Sequence, residues 1–222
     1  MGVAENLTAI RKDIPGHVTL VAVTKTKPVE MILEAYRTGH RDFGENRAQD
    51  LMWKREKLPD DIRWHMVGHL QSNKVKFLAP FVHMIHGVDS LKLLKMIQKE
   101  AQGNSRVIDV LLQVHIAQEE TKFGFSADEL HDLVQSLDLS QISHVRIRGL
   151  MGMATFTEDD VQVRKEFRFL KELFDRMKQS AFAGRDDFNQ LSMGMSGDYR
   201  LAVEEGSTMV RIGSLIFGSR NQ

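Results

Sequence analysis

The chain has 222 residues, 42% hydrophobic and 27% charged, a size and mix that suit a globular protein able to bury a sizeable core. Thirty Lys and Arg balance thirty Asp and Glu, so no global field recruits nucleic acid or an anionic membrane, although a local anion site stays open. There is no cysteine, which excludes disulfides, thiolate metal sites and cysteine nucleophiles.

Residues 1–10 contain Glu5 and polar side chains and read as neither a signal peptide nor an anchor. No run approaches the roughly 18 apolar residues of a membrane span. The expectation is a cytoplasmic protein with neither a nucleic-acid nor a membrane partner.

In chain order, strands are predicted at residues 20–24 (LVAVT), 42–45 (DFGE), 64–68 (WHMVG) and 84–88 (MIHGV), then at 108–116 (IDVLLQVHI), 145–153 (VRIRGLMGM), 190–195 (QLSMGM) and 209–217 (MVRIGSLIF). Helical spacing appears between them. Val29, Ile32, Leu33 and Tyr36 follow the first strand; Leu91, Leu94, Lys95 and Gln98 follow the fourth. Leu130, Leu133, Val134 and Leu137 follow the fifth, and Phe167, Leu170, Leu173, Phe174 and Met177 the sixth. Several strands are nearly continuous apolar blocks, as parallel strands covered on both faces should be. Eight strands with seven intervening helical segments is the count of a TIM-type (β/α)8 barrel, although a doubly wound sheet shares the local pattern. With no linker and no repeat of fixed period, residues 1–222 are expected to form a single domain.

Ligands of parallel α/β proteins bind beyond the carboxyl ends of the strands. The first such junction is Thr24-Lys25-Thr26-Lys27-Pro28, where Pro28 suits a first helical turn and Lys25 stands at the end of an apolar strand. Partial desolvation there would make Lys25 a Schiff-base nucleophile, although spacing alone favours a solvated loop lysine. Lys27 is expected in solvent. The last two junctions, around Ser192, Ser196, Gly197, Gly213 and Ser214, combine glycines and hydroxyls before helical segments. That chemistry suits a phosphate and equally suits two polar turns.

Asn46 could orient a ligand, but read alone it is a helix cap. His65 and His69 are too far apart along a strand to share a metal easily, and no metal site is read. Thr121-Lys122-Phe123-Gly124 is a polar lid or a plain turn. The twelve methionines are mostly core filler, with Met151 and Met153 able to face a ligand.

Taken together, these blocks are specific. Residues 21–28 (VAVTKTKP), 43–46 (FGEN), 64–74 (WHMVGHLQSNK), 191–196 and 206–213, in that order, resemble the pyridoxal phosphate homeostasis protein family, whose fold is similar to the N-terminal barrel of alanine racemase. The resemblance covers essentially the whole chain. It implies pyridoxal 5′-phosphate (PLP) as cofactor, held as a Schiff base on Lys25. It further implies a phosphate site at Ser196, Gly213 and Ser214, with Ser192 and Gly197 as neighbours, and Asn46 near the ring edge. Arg211 would meet the pyridine nitrogen, and Met153 would stand roughly where racemases carry a ring-stacking histidine.

A guanidinium can only donate, so Arg211 would leave PLP a poor electron sink. Racemases add a tyrosine base from a second domain; no such domain is expected here, and neither Tyr36 nor Tyr199 matches that base. The expected function is therefore PLP binding and homeostasis with little or no turnover. An amino-acid racemase or a PLP-responsive regulatory module is the alternative. Amino acids and PLP-accepting apoenzymes are the partners considered.

Overall fold

The computed structural model describes residues 2–119, 123–136 and 139–218. Its strands are β1 (Thr19–Val23), β2 (Asp42–Glu45), β3 (Arg63–Met66), β4 (Met84–Val88), β5 (Ile108–Val114), β6 (Val145–Gly152), β7 (Gln190–Ser192) and β8 (Met209–Ile212). All pair in parallel and in sequence, and β8 returns to β1, closing an eight-stranded barrel. The helices are α1 (Val3–Asp13), α2 (Val29–Arg37), α3 (Ala48–Arg55), α4 (Val75–Leu78), α5 (Leu91–Gly103), α6 (Ala127–Ser136), α7 (Asp160–Gln179), α8 (Tyr199–Glu204) and α9 (Ser214–Phe217). Among the described residues, no helix is long and apolar enough to cross a membrane.

Strand alternation divides the interior in two. Outward residues such as Phe43, Trp64 and Ile85 join the helices' apolar faces in one large core. Inward residues Val21, Val23, Val67, Met84, Leu111, Met151 and Met209 form a smaller cluster inside the barrel. Three of those seven are methionines, whose flexible thioethers fill an irregular lumen.

The expected α7 face of Phe167, Leu170, Leu173, Phe174 and Met177 is buried throughout. In α5 the buried face is Leu93, Leu94, Ile97 and Ala101, with Leu91 partly buried against the core, so of the sequence reading only exposed Lys95 and half-buried Gln98 lie off that face. The predicted strand 209–217 is also corrected. It ends at Ile212, and Ser214–Phe217 is one helical turn with Gly213 at its N-cap. Pro28 stands one position earlier than expected, as the N-cap of α2. Thr121 and Lys122 of the candidate lid, and Leu137 of the α6 pattern, lie outside the described residues.

Candidate functional site

Beyond β1, residues 24–27 form a tight turn closed by the Lys27 N–H donating to Thr24 O at 3.0 Å. Lys25 sits at its second position, and Thr26 at its third has φ +64°. This left-handed conformation normally selects glycine, and a β-branched residue holding it stores roughly 1–3 kcal/mol. The turn is anchored from below. Lys54 of α3 donates to Thr24 O at 2.7 Å and pairs with Glu45, which also accepts the Thr24 hydroxyl at 2.6 Å. Glu45 is fully buried and the Lys54 side chain is 4% exposed, so the pair is a dry clamp beneath the lysine-bearing turn.

Above this clamp opens a cavity of about 460 Å³, within the range of small-molecule sites. Lys25, Asn46, Met153, Ser196, Gly197, Arg211, Gly213 and Ser214 all line it, with Val23 and Val67 as apolar wall. Ser192 does not. It is fully buried one layer below, where its hydroxyl and carbonyl oxygens accept from Arg211 Nη1 at 2.6 and 2.8 Å. Ser192 is thus placed to hold the arginine, not to touch a phosphate. Arg211 Nη2 donates to Gly152 O at 3.0 Å. Burial pushes the Arg211 pKa down to about 10, against the pull of the Asp198 carboxylate, so the group stays cationic at neutral pH.

Asn46 does not cap a helix, since Arg47 is the N-cap of α3. Its backbone lies so close to Gly68 that a Cβ there would meet Asn46 O at 2.4 Å, which explains the glycine in the WHMVGH block. Gly213 is similarly constrained, its absent Cβ falling 3.1 Å from Val23 O. The Gly213 N–H donates to Ser196 Oγ at 3.3 Å, so the hydroxyl keeps its own proton for another acceptor. Gly197 has no such constraint.

Sequence reasoning missed several wall residues. Lys27, expected in solvent, lines the cavity beside Lys25. Asp198 and Met195 line it too, the Asp198 carboxylate accepting the Met195 N–H at 2.6 Å, as does Phe156, which is 99% exposed. Position after a strand was the available signal for all four. His65 and His69 lie apart: His65 is buried inside β3, whereas His69 pairs with Asp89 at 3.0 Å and stacks on Phe123. Tyr36 donates to Asp61 at 2.8 Å and Tyr199 donates to Asp13, and neither lines the cavity.

From Arg211 a polar column descends through the barrel. Ser192 Oγ lies 3.2 Å from His86 Nδ1, His86 Nε2 lies 2.9 Å from His65 Nδ1, and His65 Nε2 lies 3.1 Å from Asp42 Oδ1. Arg211 can only donate and an ionised Asp42 can only accept. With neutral imidazoles, one ordering gives every contact a single proton: Arg211 to Ser192, Ser192 to His86, His86 to His65, His65 to Asp42. Burial holds the His86 pKa well below its ordinary value, and hydrogen bonds from His65 and Arg63 overcome burial to hold Asp42 well below the usual carboxylate range.

Residues 2–221 match the family model described as alanine racemase, N-terminal domain. The pyridoxal phosphate homeostasis protein of Aquifex aeolicus is 42% identical over 90% of this chain and 86% of its own length. PipY of Synechococcus elongatus, solved with PLP bound, superposes with a TM-score of 0.88 at 36% identity, covering 97% of this chain and all of PipY. An alanine racemase of Clostridium difficile, at 14% identity and a TM-score of 0.77, shares the fold over all of this chain and 57% of its own. The chain therefore belongs to the alanine racemase N-terminal domain family, alongside the pyridoxal phosphate homeostasis proteins.

Proposed function

We propose that the cavity binds PLP, that Lys25 holds it as a Schiff base, and that residues 1–222 act as one cytoplasmic carrier unit for PLP homeostasis with little or no turnover. The observation that carries this reading is the convergence of Lys25, Arg211, Ser196 and Gly213 on one cavity of about 460 Å³. The donor set fits the cofactor: an amine, a buried cation and an apolar wall, with a hydroxyl and a glycine backbone as the uncharged end. PLP supplies an aldehyde that a lysine amine can capture reversibly. The names of the relatives and PLP-bound PipY support the reading.

The chain's own groups do the rest. The buried clamp of Glu45 and Lys54 fixes the turn that presents Lys25. The Ser196 hydroxyl and the start of α9 at Ser214, just past Gly213, offer donors to the phosphate. Arg211 offers the ring nitrogen a donor and no transferable proton at neutral pH. Racemisation needs a proton returned on the opposite face, and both tyrosine hydroxyls are committed elsewhere. Amino acids and PLP-accepting apoenzymes are the proposed partners.

The test is absorbance of the PLP-loaded protein with borohydride reduction and mass mapping. Lys25→Ala should lose the imine band and Lys27→Ala should keep it. Because both lysines line the cavity, label recovered on Lys27 alone would overturn the assignment. Solvent-deuterium exchange at Cα with inversion at enzyme-like rates would overturn the carrier reading.

A further inference from the structure

The amino-terminal end of the barrel, opposite the cavity, carries a second cluster. Asp42 opens β2, His65 lies within β3 and His83 directly precedes β4, so the three side chains come from neighbouring positions around the barrel. Their donor atoms all lie within 4.8 Å of one another. We propose that Asp42, His65 and His83 bind a divalent transition-metal ion of the zinc class.

Two imidazoles and one carboxylate suit Zn²⁺, Co²⁺ or Ni²⁺ better than Mg²⁺ or Ca²⁺, which prefer oxygen alone. Tetrahedral bonds of about 2.0–2.1 Å set donors about 3.3 Å apart, so these side chains need to close by about 1.5 Å at most. His65 has an outer partner that can take its other N–H once the tautomers switch. Its Nδ1 faces His86 Nε2 at 2.9 Å, which directs its Nε2 toward Asp42.

His83 is half-buried and Arg63 exposed, so the cluster borders solvent. Arg63 bridges both Asp42 oxygens, at 2.7 and 2.5 Å, and is the group an ion must displace from one of them. The neighbouring carboxylate, Asp109, is occupied by Arg146 and Arg148.

Binding at His65 Nε2 has a consequence along the column. The His65 proton must move to Nδ1 and donate to His86 Nε2, so His86 carries its own proton on Nδ1 and donates to Ser192. Each imidazole keeps one proton and Ser192 keeps its own, so the change is one of tautomers with no net proton taken up or released. Ion binding therefore reverses the proton order as far as Ser192.

This site does not depend on the reading of the cavity, and its test uses untagged, chelator-stripped protein without PLP. Co²⁺ titration should produce a visible ligand-field band saturating near one equivalent and displaced by Zn²⁺. His83→Ala, at a half-buried position, should weaken binding by at least about 10–100-fold, the loss that even an outer partner causes, with unchanged melting. Arg63→Ala should tighten binding by freeing Asp42. On adding Zn²⁺, ¹⁵N spectra should move the His86 proton from Nε2 to Nδ1. No band in either the parent protein or Arg63→Ala, or a band unaffected by His83→Ala, would overturn the proposal. A band forming with His86 unchanged would exclude His65 Nε2 as a ligand and overturn it equally.

Discussion

Lys54→Met isolates the contribution of the buried clamp. It removes the cation that pairs with Glu45 and donates to Thr24 O, leaving a fully buried carboxylate with the Thr24 hydroxyl at 2.6 Å and the Asn46 N–H at 3.2 Å. Breaking a buried pair by deleting one partner costs about 3–5 kcal/mol, because the remaining charge is uncompensated. For a protein of this size that corresponds to about 6–20 °C in Tm. Lys54→Met combined with Glu45→Gln should recover most of the loss, since the amide oxygen still accepts from Thr24 and no charge is stranded. Urea denaturation read by fluorescence compares the parent protein with both variants. The lost bond to Thr24 O also frees the turn carrying Lys25, so the imine band should form more slowly in Lys54→Met. A single-variant loss below about 1 kcal/mol, or a double variant no more stable than the single, would refute the clamp.

Ser196→Ala should weaken PLP retention by about 1.5–3 kcal/mol, roughly 10- to 150-fold, and pyridoxal without phosphate should bind poorly; equal affinity for the two ligands would contradict a phosphate end at Ser196. Ser192→Ala removes one acceptor of Arg211 and the neighbour of His86, and should cost about 1–3 kcal/mol in denaturant melts, with a smaller effect on PLP affinity than Ser196→Ala. Burial, aided by Arg11 at His40 and by His65 at His83, lowers both pKa values from 6.5 to about 4. The folded state therefore binds fewer protons than the unfolded chain between those values. Stability should fall as pH drops from about 6.5 toward 4, by up to about 1.4 kcal/mol per pH unit for each group. Denaturant melts across that range measure the slope, and His40→Gln should reduce it by one proton's share.

The parallel barrel was legible because strand and helix periods alternate cleanly and the α7 stripe is unambiguous. Residues 213–217 were misread because four apolar-rich positions fit a strand or a helical turn equally well, and Gly213 decides between them only through its cap. The cavity residues after strands could be named from position, but not their layering. Ser192 and Ser196 read alike in sequence, and only barrel closure puts one under Arg211 and the other on the wall. The clamp was invisible because Lys54 is an ordinary helix residue until α3 folds over β2. The members of the polar column come from β2, β3, β4, β7 and β8, and no local pattern joins them.

That column changes how remoteness should be judged in this molecule. On β2, β3 and β4, Phe43, Trp64 and Ile85 address the helices, and substitutions there are absorbed as packing losses near the site of change. Their immediate chain neighbours Asp42, His65 and His86 address the lumen, where each proton's position is dictated by the next group along. A substitution at Asp42 lies at the opposite end of the barrel from Lys25, yet it removes the acceptor that ends the run of ordered hydrogen bonds reaching Ser192. In a survey of natural or engineered variants, strand parity is thus a better guide to effects at the barrel mouth than separation from it.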